Sequence, residues 1–99
     1  MFEARSIAAG SKPDFYRELA GQLEALLAGE SDPVANAANT SALLFQMMPD
    51  LNWAGFYIMR SGELVLGPFQ GKPACVRIPV GKGVCGAAVA QARTMLVED

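Results

Sequence analysis

Histidine is missing altogether from this chain, and Cys75 and Cys85 are the only thiols among its 99 residues. Without an imidazole there is no Cys-His nucleophile pair and no serine triad with a histidine base, and two cysteines alone fall short of a four-ligand structural zinc site. A strong excess of one charge is also lacking, since eight Lys and Arg stand against ten Asp and Glu for a net charge of −2. Nucleic-acid footprints concentrate basic side chains on one face, so no nucleic-acid partner is expected. No apolar run approaches the roughly 18 residues of a membrane span. Acidic Glu3 sits in the N-terminal MFEARSIAAG, where a secretory leader carries positive charge. These absences point to a cytoplasmic protein without membrane association. In that compartment two cysteines are free, redox-active or transiently bridged rather than a permanent staple.

What is present suits one folded domain, because 52% of the residues are hydrophobic and 18% charged. Ser11-Lys12-Pro13-Asp14 supplies a cap, an early proline and a first-turn acid. After it Phe15, Leu19, Leu23, Leu26 and Leu27 recur at helical spacing up to Gly29. Asp32 and Pro33 open a second helix from Val34 to Met48, with Val34, Ala37, Ala38, Ser41, Leu44, Phe45 and Met48 on its inner face and Pro49 as its stop. A helix pair over residues 13–48 follows, and a sheet with the cysteine-bearing region over 52–99.

In that second region the period changes. Trp53 to Met59 is aromatic-rich, and Arg60-Ser61-Gly62-Glu63 reverses the chain into Leu64-Val65-Leu66, which predicts a hairpin. Gly67-Pro68 is expected to break that strand, leaving Phe69 to Lys72 as loop before a third strand from Cys75 to Val80. Alternation there places Cys75 and Arg77 on one face. Val84 to Ala92 reads as a short helix and Thr94 to Val97 as the start of another strand, giving the order α-α-β-β-β-α-β.

The chemistry of such a chain rests on its thiols. Cys85 precedes Gly86-Ala87-Ala88-Val89 and so lies near a helix N-terminus, where unpaired N–H groups and the positive dipole end favour a thiolate, with Lys82 as a nearby cation. Cys75 has Lys72 before it and Arg77 after it. The competing reading is structural, because free cysteine is among the most buried residue types. Trp53 has the same two readings, a buried strand aromatic or a ligand-facing one.

One further pattern is a decoy. Gly81-Lys82-Gly83-Val84-Cys85-Gly86 satisfies G-x-G-x-x-G, yet the preceding strand holds Arg77 and Pro79 where a central parallel strand is continuously apolar. The acid expected about 20 residues on would also fall past the last residue. These glycines are expected to serve positive-φ turns at the helix entry.

The run Leu66 to Gly86, LGPFQGKPACVRIPVGKGVCG, together with Trp53-Ala54-Gly55-Phe56-Tyr57, resembles the free methionine-(R)-sulfoxide reductases, which are built on the GAF fold. The resemblance covers about Asn52 to Asp99. It implies a single, partial α/β (α+β) GAF-like domain over residues 1–99, a central antiparallel sheet flanked by helices and shortened at its C-terminus. It further implies that Cys75 and Cys85 correspond to the first two of three functional cysteines, and that Trp53 and Tyr57 match aromatic positions of the substrate pocket. The implied chemistry needs no metal and no bound cofactor: a thiolate reduces free methionine sulfoxide, and thioredoxin is the external reductant. The third cysteine and the acidic residues that bind the substrate's amino group would belong to a segment past Asp99. Two assignments stay open, attack by that third cysteine with Cys75 resolving, or attack by Cys85 with Cys75 resolving. A GAF-type small-molecule sensor and an inactive remnant are the alternatives to an enzyme. An uncovered strand or the helix pair is expected to favour a homodimer.

Overall fold

The computed structural model describes residues 2–97, as three helices and a three-stranded sheet: α1 (Lys12–Leu27), α2 (Pro33–Met47), β1 (Trp53–Arg60), β2 (Glu63–Gly71), β3 (Arg77–Pro79) and α3 (Gly83–Gln91). The first two helices start where their caps predict. The Ser11 hydroxyl accepts the Asp14 N–H at 3.3 Å, and the Asp32 carboxylate accepts the Ala35 N–H at 2.9 Å. Each satisfies one of the N–H groups that a helix leaves without a partner in its first turn.

The chain divides into two compact units. One comprises Met1–Phe56 with Pro68–Lys72, the other Tyr57–Gly67 with Pro73–Asp99. In the first unit α1 packs on α2. Leu19 lies at the centre of the expected α1 stripe and is buried, as are Ser41 and Leu43 of α2. The α2 stripe is rotated from its predicted position: Leu43 is inside, while Val34, Ala38 and Phe45 are exposed. Ser41 explains part of that choice. Its fully buried hydroxyl reaches the Ala37 carbonyl at 2.9 Å and the Pro68 carbonyl at 3.3 Å, so this small polar residue ties α2 to β2.

The strand order is β1-β2-β3. The turn at Ser61 and Gly62, both at positive φ, joins β1 to β2. Antiparallel pairing sets Glu63 opposite Pro79, Leu64 opposite Ile78 and Val65 opposite Arg77. Leu64 is buried on this sheet. The Arg77 guanidinium spans the ladder to the Glu63 carboxylate at 2.6 Å. Both side chains are partly exposed, and an ion pair of that kind contributes about 0–1 kcal/mol.

Three expectations are corrected. β2 does not break at Gly67-Pro68 but runs on to Gly71. Its pairing with β3 covers only Glu63 to Val65, so Pro68 falls where β2 has no β3 residue opposite it, and the missing N–H of proline costs the sheet nothing on that side. β3 is shorter than predicted, which leaves Cys75 and Val76 in the irregular segment before it. Residues 94–97 form no strand. Leu96 is 92% exposed there, and among the described residues no strand pairs with this segment.

A candidate thiol site

Cys75, Cys85 and Tyr57 fall in the same unit, where Tyr57 meets the main chain at Cys75. Tyr57 projects from β1 and donates its hydroxyl to the Cys75 carbonyl at 2.7 Å. The next carbonyl, that of Val76, accepts the Leu66 N–H at 2.8 Å. The loop carrying Cys75 is therefore fixed by a side chain at one residue and by the sheet at the next. Both thiols are exposed and unbridged.

Cys85 is the third residue of α3, which places it in the first turn as expected. Lys82 is the N-cap, and with no acceptor in its side chain it leaves the first N–H groups of the helix without a side-chain partner. Those N–H groups and the dipole end favour negative charge at this end of the helix. The glycines around it behave as predicted, with Gly81 at φ +90° and Gly83 at φ +64°. Gly86 answers a different need: a Cβ there would lie 2.5 Å from the Pro79 carbonyl oxygen. Only glycine lets α3 lie this close against the end of β3. Because β3 runs antiparallel to β2, the glycine-rich run does not follow a parallel strand, in agreement with the rejection of a dinucleotide fingerprint.

The Tyr57 phenol is held above its ordinary value of 10.0, first because burial disfavours the phenolate, and then because negative charge at Cys75 and at Cys85 does so too. Both thiols thus lie within electrostatic reach of one hydroxyl. Arg77, expected to face Cys75 on a common strand, instead commits its guanidinium to Glu63. Cys75 precedes the strand, so the alternation argument does not reach it. No group of three or more His, Cys, Asp or Glu that could hold a metal ion occurs among the described residues.

Trp53 lies in the other unit, where its indole stacks on Phe69 with centroids 5.5 Å apart and planes 17° apart. Gly55 makes room for that pair, since a Cβ at position 55 would overlap Phe69 and crowd the Trp53 ring. Sequence reasoning missed Phe69 because Gly67-Pro68 read as the end of the strand. The available signal was the alternation of the stretch itself, which returns an aromatic to the same pleated surface once β2 is allowed to continue.

No family model matches the chain. It is 56% identical over 89 residues to the free methionine-R-sulfoxide reductase of Escherichia coli, covering 90% of this chain and 54% of that protein. The free methionine-R-sulfoxide reductase of Neisseria meningitidis, solved with its substrate, is 47% identical with a TM-score of 0.85, over 93% of this chain and 55% of that one. A solved GAF domain is 38% identical with a TM-score of 0.82, over 97% of this chain and 58% of that one. The chain spans about half the length of the curated relatives it matches. Its three helices, its antiparallel sheet and these likenesses agree with one another: over most of its length the chain is similar to free methionine-R-sulfoxide reductases, and it carries part of the GAF fold.

Proposed function

We propose that the chain serves in the reduction of free L-methionine-(R)-S-oxide to L-methionine, with thioredoxin as the reductant and no bound cofactor. The observation that carries this reading is a pair of exposed thiols in one unit, with Tyr57 bonded to the Cys75 carbonyl, on a chain whose E. coli relative is named for that reaction. In the first step a thiol attacks the sulfoxide sulfur and the oxygen passes to the thiol, so that methionine leaves and a sulfenic acid remains. In the second step another thiol captures the sulfenic sulfur, forming a disulfide and releasing water. Thioredoxin's dithiol then exchanges with that disulfide and restores both thiols.

Cys75 is assigned the second step. Its carbonyl is held by Tyr57 and that of the next residue, Val76, by Leu66, while its thiol is exposed, which suits a group that must meet first a sulfenic sulfur and then thioredoxin. The attacking thiol in this reading is a third cysteine supplied from outside residues 1–99. Attack by Cys85 is the second reading, favoured by its place in the first turn of α3. Trp53 offers its indole to the sulfoxide's methyl group, and Tyr57 holds the Cys75 carbonyl.

The test is thioredoxin-coupled turnover with free and with peptide-bound methionine-(R)-sulfoxide. The proposal expects turnover of the free amino acid and poor use of the peptide by this chain joined to the remaining part of a relative, and little turnover by the 99-residue chain alone. Repeated turnover by the 99-residue chain would make Cys85 the nucleophile. A joined protein that binds the free sulfoxide without reducing it would make the domain a sensor.

A further inference from the structure

We propose that Tyr57 is a positioning residue for Cys75: its O–H grips the Cys75 carbonyl, so the conformation of the thiol-bearing loop is tied to the phenol keeping its proton. This goes beyond the reductase reading and does not depend on turnover, because it concerns a hydrogen bond and two thiols that the 99-residue chain already contains.

The geometry is specific to a protonated phenol. Residues 72–76 lie between β2 and β3 and form neither helix nor strand. The Cys75 carbonyl points at Tyr57 Oη across 2.7 Å, and the donated proton makes that approach attractive. A phenolate in the same place would set two oxygen acceptors against each other, and the loop would have to move away. The anchor is thus made and broken by one proton on β1, while the residue it holds sits on the β2–β3 connection. Among the groups that act on this proton are Cys75 on the loop itself and Cys85 in the first turn of α3. A thiolate at either position makes the phenol keep its proton more firmly, and so preserves the anchor in the state in which the thiols are reactive. Arg77, the nearest cation in sequence after Cys75, is held by Glu63.

The experiment uses the full 99-residue chain in a Tyr16→Phe background, so that Tyr57 is the sole tyrosine. Phenolate absorbance gives the ionisation of Tyr57, and iodoacetamide labelling resolved by peptide mass spectrometry gives the ratio of the Cys75 to the Cys85 rate. That ratio cancels changes in reagent and in overall thiol reactivity. The ratio should step by about threefold across the pH range in which Tyr57 ionises, as a locally released loop does. The step should move to lower pH when 3-fluorotyrosine, a more acidic phenol, occupies position 57. It should vanish in Tyr57→Phe. In Cys75→Ser and in Cys85→Ser the phenol should ionise at lower pH than in the parent. A ratio that stays flat while Tyr57 ionises, or a step whose position ignores the fluorine, would overturn the proposal. So would a phenol whose ionisation neither cysteine affects. Should Tyr57→Phe fail to fold, the fluorotyrosine and serine arms decide the matter by themselves.

Discussion

Phe69 of β2 lies flat against Trp53 of β1, with ring centroids 5.5 Å apart and planes 17° apart. A stacked aromatic pair contributes about 0.5–1.5 kcal/mol beyond the area it buries. Phe69→Leu, which keeps a large apolar side chain but removes the ring, should therefore lower the urea unfolding free energy by about 1 kcal/mol. If Trp53 receives the substrate's methyl group, the same change in the joined protein should raise KM more than it lowers kcat, because the indole loses its support while the thiols are untouched. Equal loss of kcat and kcat/KM would instead place Phe69's influence on the chemical step.

Two helical glycines should respond to alanine with opposite signs. Gly21 lies within α1, and a Cβ there meets nothing within 4 Å, so Gly21→Ala should stabilise by about 1 kcal/mol through helix propensity. At Gly86 the same propensity gain is outweighed, because a Cβ would stand 2.5 Å from the Pro79 carbonyl and 3.1 Å from the Gly81 nitrogen, both rigid backbone atoms. Gly86→Ala should destabilise by about 1–3 kcal/mol, in the range of overpacked sites. Urea midpoints that rise for both variants would show that α3 can shift off β3 at little cost.

Much of this fold could be read from local rules. Ser11 with Pro13, and Asp32 with Pro33, mark helix starts because capping is short-range chemistry. The Ser61-Gly62 reversal is likewise decided by the residues that make it. The continuation of β2 through Gly67-Pro68 could not be read that way. A proline is tolerated in a strand only where the facing strand is absent, and the extent of β3 is a tertiary fact. The α2 stripe was misplaced for a related reason: Ser41 is inside as expected, but so is Leu43, because of what it meets and not because of periodicity alone. Both cysteines, Trp53 and Tyr57 were singled out from the sequence as candidates. The hydrogen bond from Tyr57 to the Cys75 carbonyl and the stack of Phe69 on Trp53 were not, since each joins residues more than a dozen positions apart.

The two N-caps differ in charge and in distance, and their loss should differ accordingly. The Asp32 carboxylate meets the Ala35 N–H at 2.9 Å and also brings negative charge to the positive end of α2, whereas the Ser11 hydroxyl meets the Asp14 N–H at 3.3 Å. Cap removal costs about 0.5–2 kcal/mol. Asp32→Ala should fall in the upper half of that range and Ser11→Ala in the lower, measured by urea unfolding. Adding salt should narrow the difference, because it screens the interaction of the carboxylate with the helix dipole.

Alkaline pH should weaken the fold through Tyr57. Its phenol ionises above 10.0 in the folded protein, because of burial and then the charges at Cys75 and Cys85, while in the unfolded chain it ionises at the ordinary value. Between those two values the unfolded chain has lost a proton that the folded one keeps. The stabilisation is therefore fully present below pH 10.0 and is lost as the pH rises through the folded-state value. Urea midpoints across this range should fall less steeply for Tyr57→Phe than for the parent. Parallel curves would mean that the phenol is equally free to ionise in both states.

The most direct test of the account follows Cys75 itself through one catalytic cycle. The chain is joined to the remaining part of a full-length relative and mixed with one equivalent of free methionine-(R)-sulfoxide in the absence of thioredoxin. Released methionine and the state of Cys75 are then read by mass spectrometry. The account predicts one methionine per protein with Cys75 in a disulfide. In Cys75→Ser it predicts the same methionine but a sulfenic acid that a dimedone-type reagent traps. Methionine released while Cys75 remains a free thiol in the parent protein would contradict it.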